Sequence, residues 1–340
     1  MMEKVNVALV GYGYWGKNLA RVYHSCPLSN LHTICEMNEG QASKAKDAFP
    51  DTEVIADYNN VLNNSDISTV LIATPVSFHY ELAKQAILAG KDVFIEKPMT
   101  QYSWESEELV SLAKEHGRII MVDHTFLYTG AVKKIKEYIS SGELGKLTYF
   151  DSVRVNLGLF QHDVNVVYDL APHDLAILDY LVEQTPTSVM AMGKSHANND
   201  IASLAYLHIE YPDNFIAHFH FNWMAPVKLR RTIIGGDKKM ILFDDLEPSE
   251  KIKIYDKGIV VNSDTSHEDV SKLKIDYRVG DMVAPKLESL EALQVQALHF
   301  IDCIKERKQP ISDGEQGMRV VKILDASLES INNGGVKVRL

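Results

Sequence analysis

Apolar runs alternate with helix-like stretches through the first 123 residues of the chain. The runs at 5–10, 69–73 and 92–95 hold few polar side chains, which is typical of strands buried on both faces of a parallel sheet. Between them, the stretches at 77–89 and 103–116 mix apolar and polar positions as amphipathic helices do. This alternation predicts an α/β N-terminal domain of the Rossmann type, with a doubly wound parallel sheet.

Beyond residue 125 the pattern changes to strands that follow one another closely. Turn sequences such as Tyr-Pro-Asp-Asn at 211–214 separate them, so most of these strands should pair antiparallel in a large open sheet with one exposed face. Two amphipathic helices, 287–306 and 314–332, follow. We therefore expect an α/β domain at 1–124 and an α+β domain at 125–340. The predicted strands of the second domain are 146–156, 188–192, 202–210, 215–223, 229–234 and 240–243.

A glycine motif lies between the first predicted strand and the first predicted helix. Its three glycines have the spacing G-x-G-x-x-G. In dinucleotide-binding folds the first permits a tight turn, the second lets the backbone approach a pyrophosphate, and the third lets helix and strand pack closely. A glycine-rich turn without a ligand is the alternative, but the strand–turn–helix context and the phosphate affinity of a helix N-terminus favour a dinucleotide site. The residues of this turn are Gly11, Tyr12, Gly13, Tyr14, Trp15 and Gly16.

An acidic residue closes the second predicted strand. Glu36 follows Gly16 by 20 residues, where dinucleotide-binding folds place a carboxylate on the adenosine ribose hydroxyls. Met37 and Asn38 come next, and this position offers no arginine to hold a 2′-phosphate. NAD is therefore predicted in preference to NADP.

Composition narrows the classes of function. The 340-residue chain carries a formal net charge of −11, which argues against a general binder of nucleic acid or anionic membranes. Its three cysteines, Cys26, Cys35 and Cys303, have neither zinc-site nor disulfide spacing. The sequence shows no signal peptide, lipidation motif or apolar run of transmembrane length. We expect a soluble cytoplasmic protein with a small-molecule substrate.

Two short motifs carry a family resemblance. Glu96-Lys97-Pro98 ends a predicted strand of the first domain, and Asp169-Leu170-Ala171-Pro172-His173 begins a predicted helix at 169–182. Together with the glycine motif they resemble the Gfo/Idh/MocA family of glucose–fructose oxidoreductases and inositol dehydrogenases. The resemblance spans both domains. It implies an NAD(P)-dependent dehydrogenase acting on a CH–OH group of a sugar or cyclitol, assembled through the exposed face of the second-domain sheet.

The resemblance implies three catalytic residues. Lys97 ends a strand at the edge where parallel sheets bind ligands, so it can hold the substrate hydroxyl and the nicotinamide ribose; a solvated surface lysine is the alternative. Asp169 and His173 are four residues apart and share one helix face. His173 can accept the hydroxyl proton while Asp169 orients the imidazole or the substrate; the alternative is a helix-start acid and a structural histidine. Because Pro172 is tolerated only in a first turn, the pair should lie at a helix N-terminus.

Further site residues follow from the resemblance. For His79, a structural role is as good an interpretation as a cofactor contact. For the polar residues of the second domain, exposure on the surface is as good an interpretation as a substrate contact. Besides the glycine turn and Glu36, the predicted cofactor contacts are Ala73, Thr74, Pro75, His79, Glu96 and Lys97. The predicted substrate contacts are Lys97, Arg154, Asn156, Asn165 and His173, with His162 in the same stretch.

Two clusters in the second domain each allow two interpretations. The first could bind an anionic substrate or could consist of charges that protect a sheet edge; its members are Trp223, Lys228, Arg230 and Arg231. The second, His208, His218 and His220, could form a metal site, but no acidic or cysteine spacing completes it. We therefore predict no metal, and we expect the histidines on a surface covered in a homodimer or homotetramer.

The sequence as a whole predicts an NAD-dependent oxidoreductase that oxidises a secondary hydroxyl of a sugar derivative. The stretch 156–173 resembles family members that oxidise C3 of UDP-linked acetamido sugars or uronates. An inositol or free-sugar dehydrogenase of the same family is one alternative. A non-catalytic NAD-binding sensor or scaffold is the alternative from another class, and the joint presence of Lys97, Asp169 and His173 argues against it.

Overall fold

The apolar runs of the first part of the chain form a parallel sheet. A computed structural model of the protein describes residues 4–158, 164–196, 201–256 and 279–340, together with the backbone of 258–261 and 275–278. Six strands pair in parallel in the order β3-β2-β1-β4-β5-β6, which confirms the predicted doubly wound sheet. These strands are β1 Val5–Val10, β2 Ser29–Cys35, β3 Glu53–Ile55, β4 Thr69–Ile72, β5 Asp92–Ile95 and β6 Ile120–Val122.

Helices bury both faces of this sheet. The helices between the strands are α1 Gly16–Ser25, α2 Glu39–Ala48, α3 Tyr58–Asn63, α4 His79–Leu88 and α5 Ser103–Glu115. On one face Ile95 shares a core with Ile87 of α4 and Leu109 of α5. On the other, the ring of Phe94 lies 6.0 Å from that of Tyr23 on α1. Burial on both sides explains why the central strands read as continuous apolar runs.

A segment near the C-terminus packs with this sheet. Helix α8, Ala292–Glu306, places Phe300 5.6 Å from Phe94 between ring centroids, and the adjoining Arg307 pairs with the buried Asp92 at 2.7 Å. The next helix, α9, spans Gly314–Asn332. By their contacts, Met1–Thr129 and Ser289–Asp325 form one compact unit, whereas Gly130–Glu288 and Ala326–Leu340 form a second. The predicted boundary at 124/125 lies close to the first of these breaks, and the sequence pattern does not anticipate the return of 289–325.

The second unit is built on a nine-stranded sheet ordered β16-β13-β12-β11-β7-β10-β9-β8-β17. Neighbouring strands in it pair antiparallel except for β7 and β10, which are parallel. This confirms the predicted, mostly antiparallel sheet. Among the described helices none is long and apolar enough to cross a bilayer. The elements are α6 Gly130–Ser140, β7 Leu147–Leu157, α7 Val166–Leu181, β8 Ser188–Lys194, β9 Leu204–Glu210, β10 Ile216–Asn222, β11 Met224–Gly236, β12 Met240–Asp244, β13 Ile252–Tyr255, β16 Met282–Val283 and β17 Val338–Arg339, with a separate pair β14 Gly258–Val261 and β15 Ile275–Arg278.

Residues along β9 and β10 alternate between the two faces of the sheet. The inward residues Leu207, Phe219 and Phe221 are fully buried. The outward residues, among them Tyr206 and His218, are half-buried or exposed. This period-2 pattern is the signature of a sheet covered on one face only.

Helix α7 begins earlier than predicted. Its first residue is Val166, and Asn165 is the N-cap, whose side-chain oxygen accepts from the backbone N–H groups of Val167 at 2.9 Å and Tyr168 at 3.0 Å. Pro172 therefore lies inside the helix, beyond its first turn. The expectation that Pro172 marks the first turn was wrong, because the asparagine cap fixes the helix start.

A buried ion pair joins β7 to α7. Arg154 donates from Nε to Asp174 Oδ1 at 3.0 Å and from Nη2 to the same oxygen at 2.5 Å, and only 4% and 2% of the two residues are exposed. Burial alone would lower the pKa of Arg154, but the Asp174 carboxylate outweighs it and the net pKa is raised. The guanidinium therefore stays charged in the core and depends on its partner.

This pair generates a prediction about stability. Arg154→Met should lower the free energy of unfolding by about 3–5 kcal/mol, because it leaves the Asp174 carboxylate buried without its cation. The double variant Arg154→Met/Asp174→Leu should recover most of the loss. Arg231→Met is the matched control, because Arg231 is half exposed in its pair with Asp244 and should cost less than about 1 kcal/mol. Urea denaturation measures all three, and equal losses from Arg154→Met and Arg231→Met would contradict the prediction.

Candidate active site

The carboxyl ends of the parallel strands line up at one edge of the first sheet. Backbone hydrogen bonds join the residue after each strand to its neighbour: Ala73 N–H donates to Val10 at 2.9 Å, and Glu96 N–H donates to Ile72 at 2.9 Å. The N–H of Asp123 donates to Ile95 at 2.8 Å in the same way. This edge therefore carries the glycine turn, Thr74-Pro75 and the Glu-Lys-Pro motif side by side. The strand order reverses between β1 and β4, and such a switch point forms a ligand crevice.

The three glycines of the turn differ in what a side chain at each position would meet. Gly11 has φ of +92°, and a Cβ there would lie 2.7 Å from the Ala73 carbonyl oxygen. A Cβ on Gly16 would lie 2.1 Å from the Gly11 carbonyl oxygen. A Cβ on Gly13 would meet no atom within 4 Å. The first and third glycines are thus required by packing within the protein, whereas the second borders open space that a pyrophosphate can approach.

Glu36 is fixed beside the turn. Its carboxylate accepts from the backbone N–H of Tyr12 at 2.7 Å and from that of Asn38 at 2.8 Å. The Tyr12 side chain is buried, while Tyr14 projects into solvent. The acid predicted to hold the ribose is therefore held in place by the same backbone that forms the glycine turn.

Trp15 and Glu96 converge on a residue that the sequence does not single out, Asp123. The Trp15 indole N–H donates to Asp123 Oδ2 at 2.5 Å, across 108 residues of sequence. Glu96 is buried next to Asp123, and burial first and Asp123 second raise its pKa well above the usual range of a carboxylic acid. No local signal could have revealed this arrangement, because Trp15 and Glu96 come from two other strand ends.

Two histidines flank the Glu-Lys-Pro motif. His79, the first residue of α4, holds Thr74 and Pro98 together: its Nε2 lies 2.8 Å from the Thr74 carbonyl and its Nδ1 3.0 Å from the Pro98 carbonyl. This is the structural alternative for His79, and burial lowers its pKa. His124, which the sequence interpretation missed, is 1% exposed, and burial first and Lys97 second lower its pKa to about 3. The His124 imidazole is therefore neutral near pH 7.

In the second unit, Asp169 and His173 lie one turn apart on α7. The Trp223 indole N–H donates to Asp169 Oδ2 at 2.9 Å, and Trp223 is 1% exposed. Gly158 packs against the Trp223 ring, so closely that a Cβ there would lie 3.0 Å from it. Trp223 thus orients the carboxylate of the predicted catalytic acid, a role that differs from both interpretations of its cluster.

The other predicted substrate contacts have varied environments. Arg154 is engaged with Asp174 and Asn165 caps α7, while Asn156 is half-buried near the end of β7. His162 lies outside the described residues. In the basic cluster, Arg230 pairs with Asp245 at 3.3 Å and Arg231 pairs with Asp244 at 2.9 Å. These acids already neutralise the positive charges that would be needed to bind an anionic substrate.

The histidines of the sheet face have an acidic neighbour that the sequence spacing did not reveal. Asp151, on the adjacent strand β7, lies 3.1 Å from Nδ1 of His218. The rings of Tyr206 and His220 stack at 4.6 Å. In the part of the chain that the structure describes, no three His, Cys, Asp or Glu side chains are arranged to hold a metal ion.

The sequence matches the models of one oxidoreductase family over both of its domains. The model described as oxidoreductase family, NAD-binding Rossmann fold, matches residues 5–124. The model described as oxidoreductase family, C-terminal alpha/beta domain, matches residues 136–340. Both carry the family designation GFO_IDH_MocA, which agrees with the resemblance carried by the two motifs.

Known proteins resemble the whole chain or part of it. A scyllo-inositol 2-dehydrogenase (NAD(+)) of Bacillus subtilis is 24% identical over 98% of this chain and 96% of its own. The scyllo-inositol 2-dehydrogenase (NADP(+)) IolW of the same organism is 33% identical over 42% of this chain and 39% of its own. The structure of UDP-N-acetylglucosamine 3-dehydrogenase GnnA from Acidithiobacillus ferrooxidans superposes with a TM-score of 0.82 at 22% identity, covering 98% and 99% of the two chains. That structural likeness shows a shared fold.

The glycine turn generates a paired prediction. Gly16→Ala should lower stability by about 1–3 kcal/mol, because its Cβ would overlap the Gly11 carbonyl. Gly13→Ala should leave stability within about 0.5 kcal/mol of wild type, since nothing lies near its Cβ, yet it should weaken NADH binding by filling the approach to the pyrophosphate. Thermal melts with and without NADH measure both. Unchanged NADH binding in Gly13→Ala would show that the open space serves another purpose.

Proposed function

The chain belongs to the GFO_IDH_MocA oxidoreductase family, and from that premise we propose that it is an NAD-dependent dehydrogenase of a sugar derivative. The observation that carries the proposal is the common strand edge, which brings the glycine turn, Glu36 and Lys97 together in one unit. The reaction proposed is oxidation of a secondary hydroxyl with hydride transfer to nicotinamide. The direction can reverse with the ratio of the reactants, because the same groups assist both directions.

The proposed chemistry assigns one task to each residue. Oxidation of a carbinol removes a hydride from carbon and a proton from oxygen, and a bound NAD supplies the hydride acceptor. His173 accepts the hydroxyl proton as general base. Lys97 donates a hydrogen bond to the same oxygen and stabilises the negative charge that develops there. Asp169, held by Trp223, orients the imidazole or the substrate.

The finer substrate proposal is C3 oxidation of a UDP-linked acetamido sugar or uronate. It rests on the resemblance of the stretch 156–173, and the shared fold of a protein named UDP-N-acetylglucosamine 3-dehydrogenase agrees with it. An inositol is the second candidate, favoured by the full-length similarity to an inositol dehydrogenase. Incubating the protein and NAD with UDP-N-acetylglucosamine, its uronate, inositols or free hexoses, and following NADH absorbance, distinguishes them. No NADH with any of these would favour the sensor or scaffold alternative.

The first prediction of this proposal concerns the cofactor. NAD should bind at least about tenfold more tightly than NADP, because the Glu36 carboxylate would repel a 2′-phosphate. Glu36→Gln should narrow that preference, while Glu39→Gln, an exposed acid in the first turn of α2, should leave it unchanged. Calorimetric titration of both cofactors tests this, and equal or tighter binding of NADP by the wild type would refute it.

The second prediction concerns the chemical step. His173→Ala should lower kcat by about 10²–10⁴-fold with little change in NAD affinity, because it removes a general base from the unit that lacks the glycine turn. Lys97→Met should cost at least as much, since positioning and charge stabilisation are lost together. Asp169→Asn should be milder, and Trp223→Phe should resemble it, because both loosen the same carboxylate.

Steady-state kinetics across pH measure these effects. The profile of kcat/KM should show an ionisation that disappears in His173→Ala. His116→Ala is the matched control, because His116 is exposed at the end of α5 and should leave the profile unchanged. Near-normal turnover by His173→Ala with an unaltered pH profile would remove His173 from the role of base.

The third prediction concerns assembly. We propose that the open face of the nine-stranded sheet is covered by a second copy of the chain, because large apolar side chains such as Met192 and Tyr206 are exposed on it. A dimer or tetramer is expected in light scattering, with Tyr206→Glu shifting it toward monomer and Leu88→Glu, exposed on α4, leaving it intact. A monomeric wild type at micromolar concentration would contradict this. Two adjacent rows of outward residues run across this face. The first is Met190, His208, His218 and Asp151, and the second is Met192, Tyr206, His220 and Val153.

A further inference from the structure

Asp123 lies where three segments of the first unit meet. It follows β6 directly and is 1% exposed. Its Oδ2 accepts from the Trp15 indole N–H at 2.5 Å, and its Oδ1 accepts from the Thr125 hydroxyl at 2.5 Å. Because the indole can only donate, the bond from Trp15 requires an acceptor oxygen, as a carboxylate provides. Both oxygens of Asp123 are therefore held by donors from other residues.

Glu96 completes the arrangement from the neighbouring strand. Its carboxyl oxygen Oε2 is buried, and burial first and the nearby Asp123 second raise the pKa of Glu96. Two ionised carboxylates side by side in a buried position repel each other strongly, so one of them keeps a proton. The raised pKa of Glu96 favours the proton on that carboxyl group. A protonated Glu96 can donate a hydrogen bond to Asp123.

Each of these bonds reaches a segment of the proposed cofactor site. Trp15 lies in the glycine turn, between Gly13 and Gly16, and is the N-cap of α1, although it makes no side-chain cap bond to the helix. Its indole N–H is instead directed to the end of β6. Glu96 directly precedes Lys97. Asp123 thus accepts a bond from the turn that a pyrophosphate approaches, and its backbone N–H donates to Ile95 at the strand end that carries the proposed catalytic lysine.

We propose that Asp123 is a positioning residue, which fixes the glycine turn through the Trp15 indole and the Glu-Lys-Pro strand end through Glu96. The proposal rests on the proposed function, because it takes this turn to be a dinucleotide site. Its physical basis is preorganisation: a turn already held in its binding conformation loses less conformational freedom when a ligand binds. Without the bond from Trp15, the turn must become ordered when the ligand binds, and the free-energy cost of that ordering weakens binding.

The test uses Trp15→Phe, which keeps an aromatic ring but removes the donor, and Asp123→Asn, which removes the charge. Each should raise the Kd for NADH by about tenfold, the effect of losing one hydrogen bond to a charged group. The double variant should bind no more weakly than the weaker single variant, because both act through one bond. Trp104→Phe is the matched control, since Trp104 lies exposed on α5 and should leave the Kd unchanged. Singles that leave the Kd within twofold of wild type, or effects that multiply in the double variant, would overturn the proposal.

A measurement without cofactor separates this proposal from the proposed function. In Asp123→Asn, amide hydrogen exchange should speed up in the peptide that contains residues 11–20, and the emission of Trp15, isolated by subtracting the Trp15→Phe spectrum, should shift. Unchanged exchange and emission would overturn the positioning role whatever the cofactor affinity. A wild type that binds no NADH would instead refute the proposed function. If Asp123→Asn fails to fold, Trp15→Phe still decides the outcome through the same exchange measurement.

Discussion

The parallel strands of the first unit end at the same level along one edge of the sheet. The candidate site of this unit depends on that alignment. A strand buried on both faces cannot slip by a residue without turning its side chains to the wrong layer, so its end is fixed together with its core. Val10, Ile72 and Ile95 each accept a bond from the residue that follows the next strand. Residues far apart in sequence therefore meet at this edge because the strands bring them there. The chemistry of the site depends on the packing of the sheet.

Local patterns predict the parts of this unit that local physics determines. The apolar runs, the glycine spacing and the acid that closes the second strand are all written within short windows, and the six-stranded sheet confirms the first of them. Strand β3 was not anticipated, because its three residues are only partly buried or exposed and show no apolar run. Asp123 and His124 were missed for another reason: their surroundings are set by strand order, which no window of sequence displays.

In the second unit, the sequence gives residue types but not their burial. Arg154 has the type expected of a substrate contact, yet the fold places it in the core against Asp174. A buried arginine costs several kcal/mol unless its partner is well aligned, so the alignment of β7 with α7 determines its role. Helix α7 shows the same limit at its start. A rule about proline placed the helix start at Asp169, whereas the side chain of Asn165, four residues earlier, sets it.

Both units fix a candidate site carboxylate with the same kind of donor. Trp15 donates to Asp123 at 2.5 Å and Trp223 donates to Asp169 at 2.9 Å. An indole carries one N–H, no acceptor and no charge, on a rigid apolar ring. It therefore orients a carboxylate and excludes water. Unlike a lysine or an arginine, it does not neutralise the charge of the carboxylate. Each side chain is thereby fixed in orientation, Asp123 beside Glu96 and Asp169 one turn from His173 on α7.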